Sequence, residues 1–347
     1  MSKHYLIFIH GMGEPQNPDQ VFDPSYEQLW NRLSKKFQHQ TGNLFTSDFE
    51  PAYINWHQKL GDVPQSVSDV QTLLFEDCYP ELKDYPKQSL FQRLVKFVPY
   101  KAHSFATFFL GDVIAYVSKD VNLIRRTLWE QIWFGHGEWQ GLEKVLQADN
   151  DATYSIVAHS LGSVLAFDYL HHLFQGNPDD SYLPKLNQAE RPEDRHLQNR
   201  EPQRELPDPT DPVISPLLQE RFRYFFTLGA PIGLFMLRNG TLWLNDNPFQ
   251  KIFNPVRGCD RGWYNFYDPM DAVAFPLTRL FGRNIGNWIC KLEDVSLTNF
   301  GIPLAHSHTG YWTHRKVVSK MVDVLSSSVP TQRSSSTESV SAKVQLV

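Results

Sequence analysis

Short, continuous apolar runs alternate along the chain with stretches of helical spacing. Tyr5-Leu6-Ile7-Phe8-Ile9 is the first such run, and an unbroken apolar segment of this length fits a strand buried on both faces of a parallel sheet. Similar runs lie near residues 51–56, 153–158, 222–228, 263–267 and 293–297. Helical patterns separate most of them. Strand alternating with helix predicts an α/β fold: a mostly parallel central sheet with helices on both faces. In such sheets chemistry gathers at the carboxyl ends of the strands.

Three segments depart from this alternation. Residues 64–147 predict a helical insertion, with apolar positions at Leu90, Leu94, Val95 and Val98 and again at Phe105, Phe108, Phe109, Val113 and Ile114. It serves either as a lid that touches lipid or as a layer packed on the sheet. The second is favoured, because a membrane-binding helix carries a denser basic face. Residues 176–220 hold eight prolines, Pro178 to Pro216, among mixed charges, and read as an irregular loop. The Ser-rich segment 326–347 lacks periodicity and reads as a disordered tail. Residues 1–325 are then a single domain, and no internal repeat is visible.

Composition narrows the picture. With 347 residues, 41% of them hydrophobic, the chain fills one large domain or a domain with a helical cap. A net charge of −5 argues against a nucleic-acid partner. Three widely spaced cysteines, Cys78, Cys259 and Cys290, do not make a disulfide framework and point to a reducing, cytoplasmic setting. Residues 5–9 are too short for a secretory signal. The longest apolar run, Phe105 to Val117, is interrupted by Gly111-Asp112 and too short to cross a bilayer. The expectation is a soluble protein, peripheral on a membrane at most. Oligomeric state is not legible.

Candidate chemistry begins at Tyr154-Ser-Ile-Val-Ala158-His-Ser160-Leu-Gly162-Ser-Val164. An apolar strand enters a tight turn at Ser160 and a helix leaves it. A serine on such a turn exposes its hydroxyl beside the free N–H groups of the helix start. Strand and helix nearly touch there, so small residues are needed two before and two after the serine; Ala158 and Gly162 meet that need. The first strand ends in His10-Gly11-Met12-Gly13, whose glycines allow N–H groups to point into a pocket. Oxyanion donors would be the N–H groups of Met12 and Leu161.

Two further segments complete a catalytic set. An aromatic strand ends in Asp268-Pro-Met-Asp271-Ala-Val; Asp271 is favoured as the acid that orients a histidine, with Asp268 in reserve and otherwise holding the turn. His306-Ser-His308-Thr-Gly-Tyr-Trp312 follows the last strand; His308 is favoured as general base and His306 is the reserve. His314 fits a helix start. The pair His306 and His308 also has the spacing to share a metal, but no other ligand cluster completes a site, and no metal or cofactor is expected.

The order Ser160, Asp271, His308, with His10-Gly11 ahead of them, resembles the α/β-hydrolase superfamily, and most of all its lipase-like serine esterases. Ala-His-Ser-Leu-Gly and Asp-Pro-Met-Asp are the motifs that carry the likeness, which covers residues 4–12, 153–170, 222–234, 263–275 and 304–312. Ala158 departs from the family's usual glycine. The resemblance implies an α/β-hydrolase fold and an acyl-enzyme on Ser160. The substrate would be a small-molecule or lipid ester, with phospholipid acyl esters included and thioesters and amides left open. The alternative is a non-catalytic binding or scaffold protein that keeps the fold.

Overall fold

The computed structural model describes residues 2–11, 24–56, 121–175, 182–183, 205–236, 261–285, 291–297 and 307–327. The three cysteines, the Phe105–Val117 run, the first part of the helical insertion, most of the 176–204 stretch and the tail beyond Ser327 lie outside them.

Six strands form one parallel sheet: β1 (His4–Ile9), β2 (Phe49–Ile54), β3 (Thr153–His159), β4 (Phe222–Leu228), β5 (Gly262–Tyr267) and β6 (Leu292–Ser296). Each coincides, within a residue or two at its ends, with one of the apolar runs. The order across the sheet is β2-β1-β3-β4-β5-β6, and every neighbouring pair is parallel. The chain therefore steps outward from β1 to the edge strand β2, then returns to the other side of β1 and builds the rest in sequence. That reversal places a topological switch point between β1 and β3, and a crevice opens at such a point beyond the carboxyl ends of the strands.

Side chains alternate between two cores because successive residues of a strand point to opposite faces. Ile7, Ile9, Ile156, Ala158, Phe225 and Trp263 feed one core. Leu6, Phe8, Val157, Phe226 and Phe266 feed the other. The second core is closed by α1 (Pro24–Thr41), α2 (Phe45–Asp48) and α8 (Arg315–Ser326). In α1 the buried positions Tyr26, Leu29, Leu33 and Phe37 repeat at helical spacing, which is what turns one stripe of an otherwise polar helix toward the sheet.

The first core is closed by α3 (Val121–Phe134), α4 (Leu142–Ala148), α5 (Leu161–Gln175), α6 (Ile214–Arg221) and α7 (Thr278–Ile285). Helix α5 is buried on all sides from Leu161 to Phe174, consistent with its nearly continuous apolar sequence. Its one acid, Asp168, is matched by a bidentate pair with Arg125 of α3 at 2.7 and 2.8 Å, because an unpaired carboxylate at that depth would cost several kcal/mol, on the order of the 3–5 kcal/mol lost when a buried pair is broken. The described part of the insertion, α3 and α4, thus packs on the sheet: Ile124, Leu128, Trp129 and Ile132 are all fully buried.

The proline-rich stretch is more structured at its end than its composition predicts. Residues 214–221 form α6, with Leu218 buried and Ile214 and Leu217 packed against the same core. Pro216 stands in the first turn, where a missing N–H is tolerated. Farther back, Tyr182 is fully buried with its ring beneath the Arg125 guanidinium. Composition averaged over the stretch hides these few anchoring side chains.

Among the described residues no helix is long and apolar enough to cross a membrane. The packing makes a direct prediction. Ile156 sits fully buried in the middle of β3, so Ile156→Ala should lower unfolding stability by about 2–5 kcal/mol. Val213→Ala, at a position 81% exposed, should change it by less than about 0.5 kcal/mol. Urea denaturation of both variants checks the contrast.

Candidate active site

The site is built where β1 and β3 end. Residues Ile9 and Ala158 are register partners, so the segments that follow them, His10-Gly11 and His159-Ser160, leave the sheet side by side. Ser160 has φ of 50°, and it alone among the described non-glycine residues has a positive φ. A side chain in that left-handed region costs on the order of 1–3 kcal/mol, and here the surroundings impose it. The Ser160 N–H is tied to the Leu228 carbonyl at 2.9 Å, its own carbonyl accepts from the Ser163 N–H at 2.9 Å, and the Ser163 hydroxyl returns to the Ala158 carbonyl at 2.9 Å. Helix α5 starts at once with Leu161.

Two glycines make this turn sterically possible. A Cβ on Gly162 would stand 2.1 Å from the His10 carbonyl oxygen, and one on Gly11 would stand 2.6 Å from the Ser160 Cβ. Neither position has room for a methyl group. The small Ala158, by contrast, is fully buried in the helix-side core and fits without a glycine.

Ser160, His308 and Asp271 come together from three places in the chain. The His308 Nδ1 lies 2.8 Å from Asp271 Oδ2, and its Nε2 lies 2.8 Å from Ser160 Oγ. The tautomer follows from the partners. An ionised carboxylate only accepts, so Nδ1 carries the proton and donates to Asp271; Nε2 is then the lone-pair nitrogen that accepts from the Ser160 hydroxyl. Ser160 is 2% exposed and Asp271 5% exposed, so these hydrogen bonds sit in a poorly screened environment.

The state of Asp271 is set by opposing influences. Burial pushes its carboxyl pKa up. The hydrogen bond and charge of His308, the Tyr311 hydroxyl and the Val273 N–H outweigh that, and the net effect holds it below the usual carboxylate value. The Tyr311 hydroxyl donates to Oδ2 at 2.8 Å and accepts from the Asp268 N–H at 3.0 Å; Oδ1 accepts from the Val273 N–H at 3.1 Å. Burial, then the adjacent Asp271 charge, push the Tyr311 phenol far up, so it remains a donor at any ordinary pH.

Asp268 occupies the other role expected of the turn. Its Oδ1 accepts from the Met270 N–H at 2.9 Å, and its carbonyl accepts from the Asp271 N–H at 2.9 Å. It shapes the backbone that presents Asp271. His314 caps α8, accepting at Nδ1 from the Lys316 N–H at 3.1 Å. Leu161 is fully buried at the first position of α5, where helix N–H groups have no intrahelical acceptor. Met12 and His306 lie outside the described residues. Among the described residues no group of three or more His, Cys, Asp or Glu side chains is placed to hold a metal ion.

Two residues of the site were not singled out by their sequence positions. One is Tyr311, whose hydroxyl reaches the carboxylate from the 3-10 turn Gly310–Thr313. The other is His159, the last residue of β3, whose Nε2 lies 2.8 Å from the His308 carbonyl oxygen. Burial, and then the neighbouring His308, drive the His159 pKa down to about 3. At the far, amino end of the sheet His4 is likewise buried, between Thr153 Oγ1 at 2.7 Å and Ser155 Oγ at 2.9 Å, with its pKa lowered to about 3 by burial and then by Arg223. The adjacency of His159 to the serine was a signal in the sequence, but its partner was not.

Two outcomes follow from this geometry. Gly162→Ala forces a methyl group against the His10 carbonyl and should cost about 1–3 kcal/mol of stability as an overpacking change, read as a lowered urea midpoint. Both His4 and His159 are neutral in the folded protein near neutral pH, and each titrates near the ordinary histidine value of 6.5 once unfolded. Between about 3 and 6.5 the unfolded chain therefore binds the extra protons. Their contribution is intact above pH 6.5 and is lost as pH falls toward about 3, by up to about 1.4 kcal/mol per pH unit for each histidine. Urea midpoints measured from pH 7.5 to 5 should fall with acidification, and more steeply in wild type than in His159→Gln.

The sequence matches no protein-family model and no curated protein.

Proposed function

We propose that the chain is a serine hydrolase of the α/β-hydrolase type that cleaves carboxylic esters through an acyl-enzyme on Ser160. The observation that carries this reading is the unbroken line from Asp271 Oδ2 through the His308 ring to Ser160 Oγ, with 2.8 Å at each junction. A nucleophile hydrogen-bonded to a base, and a base oriented by a buried acid, is the arrangement that activates a hydroxyl.

In the proposed reaction His308 Nε2 takes the Ser160 proton as Oγ attacks the ester carbonyl. The new C–O bond forms as the carbonyl π electrons move to oxygen. Asp271 stabilises the resulting imidazolium and keeps the ring in its tautomer. The N–H of Leu161, at the start of α5, is directed at the oxyanion; the N–H of Met12 is its expected companion. Collapse of the tetrahedral adduct expels the alcohol, protonated by His308. Water then attacks the acyl-enzyme with His308 again as base, and the acid leaves.

A fluorophosphonate probe gives the test. Wild type should be labelled stoichiometrically at one site and should hydrolyse p-nitrophenyl esters, with rates that vary across a chain-length series. Ser160→Ala should take no label and lose turnover by roughly 10⁴–10⁶-fold. A wild-type protein that neither labels nor hydrolyses any ester in the series would sink the reading and leave a binding protein of the same fold.

A further inference from the structure

We propose that His159 is a positioning residue that sets the distance between base and nucleophile, by donating its Nε2–H to the backbone carbonyl of His308. This rests on the reading of Ser160 as nucleophile and His308 as base, and extends it to a residue with no direct place in the proton path.

The argument starts from connectivity. His159 is covalently joined to Ser160, and its side chain points to the same face of the sheet as Val157, toward the 3-10 turn that follows His308. The Nε2–carbonyl contact of 2.8 Å closes a ring of bonds. It runs from the His159 backbone to Ser160, from Ser160 Oγ to His308 Nε2 at 2.8 Å, along the His308 residue to its carbonyl, and back through the His159 imidazole. His308 is thereby held at two points by two consecutive residues of the same strand-to-helix turn. The second point, unlike the Oγ–Nε2 bond, stays intact when that bond breaks and re-forms during turnover.

Packing keeps the tether in place. The His159 ring centroid lies 5.0 Å from those of both His308 and Trp312 and 6.0 Å from that of Tyr311. His159 is 9% exposed. On the remaining side the missing Cβ of Gly11 makes room, since an added methyl would stand 3.2 Å from His159 Nδ1.

The chemistry of the tether also suits the reaction. A carbonyl oxygen accepts and cannot donate, so Nε2 carries the proton. The titratable groups that face this ring are His308, Asp271 and His10. During catalysis His308 becomes cationic, and a cationic donor beside it would oppose that step. A neutral imidazole supplies the N–H without the charge, and burial keeps His159 neutral down to about pH 3. Lysine or arginine at this place would hold the carbonyl at an electrostatic cost to the base.

The test compares two near-isosteric replacements, His159→Gln, whose amide N–H reaches the carbonyl, and His159→Met, which has no donor. Circular dichroism and the thermal midpoint establish that each is folded; His159→Phe, which keeps an aromatic ring in the slot, replaces the methionine variant if that one does not fold. Kinetics on p-nitrophenyl acetate should show kcat reduced about 10- to 100-fold in the donor-less variant with KM within about twofold. His159→Gln should recover most of the loss. A second readout does not need turnover: the strongly deshielded Nδ1 proton of His308, observed by NMR, should broaden or shift in the donor-less variant and persist in His159→Gln. A folded donor-less variant with unchanged kcat and an unchanged proton signal overturns the proposal, as does a glutamine variant no better than it. If wild type is inert to esters and probe, the hydrolase reading fails by itself, and the proton signal alone still decides whether His159 holds His308.

Discussion

Everything at the carboxyl end of the sheet depends on a close approach of three backbones. The chain leaving β1 at His10-Gly11, the turn at Ser160 and the first residues of α5 occupy a space in which a methyl group on Gly11 or Gly162 would meet its neighbour at 2.6 or 2.1 Å. The Ser160 side chain then projects away from the sheet, and its backbone is held at φ of 50°. Strain of this kind survives only where the surroundings over-determine it. Here a strand on each side and a fully buried helix do so. The cost of the turn is local, while the cores that enforce it extend across all six strands.

The second layer of control is electrostatic. Asp271 is buried, yet its two oxygens accept from His308, Tyr311 and the Val273 N–H, so the ionised form is favoured over the protonated one. The histidine next to the serine is held in the opposite sense, neutral and donating. His308 thus sits between an ionised acceptor at its ring Nδ1 and an uncharged donor at its backbone carbonyl. The asymmetry comes from position: the acid turn follows β5, whereas His159 is the last residue of the central strand β3.

Much of this was legible in the sequence, for identifiable reasons. All six strands announce themselves because a strand buried on both faces must be apolar throughout, a local property. The turn at Ser160 is legible because its steric demand falls on residues two positions away. Asp268 and Asp271, three residues apart, separate by role: the first bonds the Met270 N–H, the second meets His308. What escaped were contacts whose partners lie far along the chain. Tyr311 reads as one more aromatic, and only the fold brings its hydroxyl within 2.8 Å of a residue 40 positions away. His159 reads as the variable residue of the turn until the His308 carbonyl, 149 positions away, is beside it. The helix at Ile214–Arg221 was hidden for a different reason, since three apolar side chains cannot outweigh eight prolines in an averaged composition.

The strand order has a consequence for how the molecule comes into being. β1 pairs with β3 across roughly a hundred and fifty residues, and Ser160 meets His308 across 148. Contacts that span so much chain form slowly, because the entropy of closing such loops is lost before any packing is gained. A chain emerging from the ribosome exposes the serine long before the imidazole that faces it exists. Until the segment that carries His308 is in place, the Ser160 hydroxyl lacks the contact with its Nε2. Synthesis from one end thus imposes an order: the strand that carries Ser160 is made first, and the partner that meets its hydroxyl arrives 148 residues later.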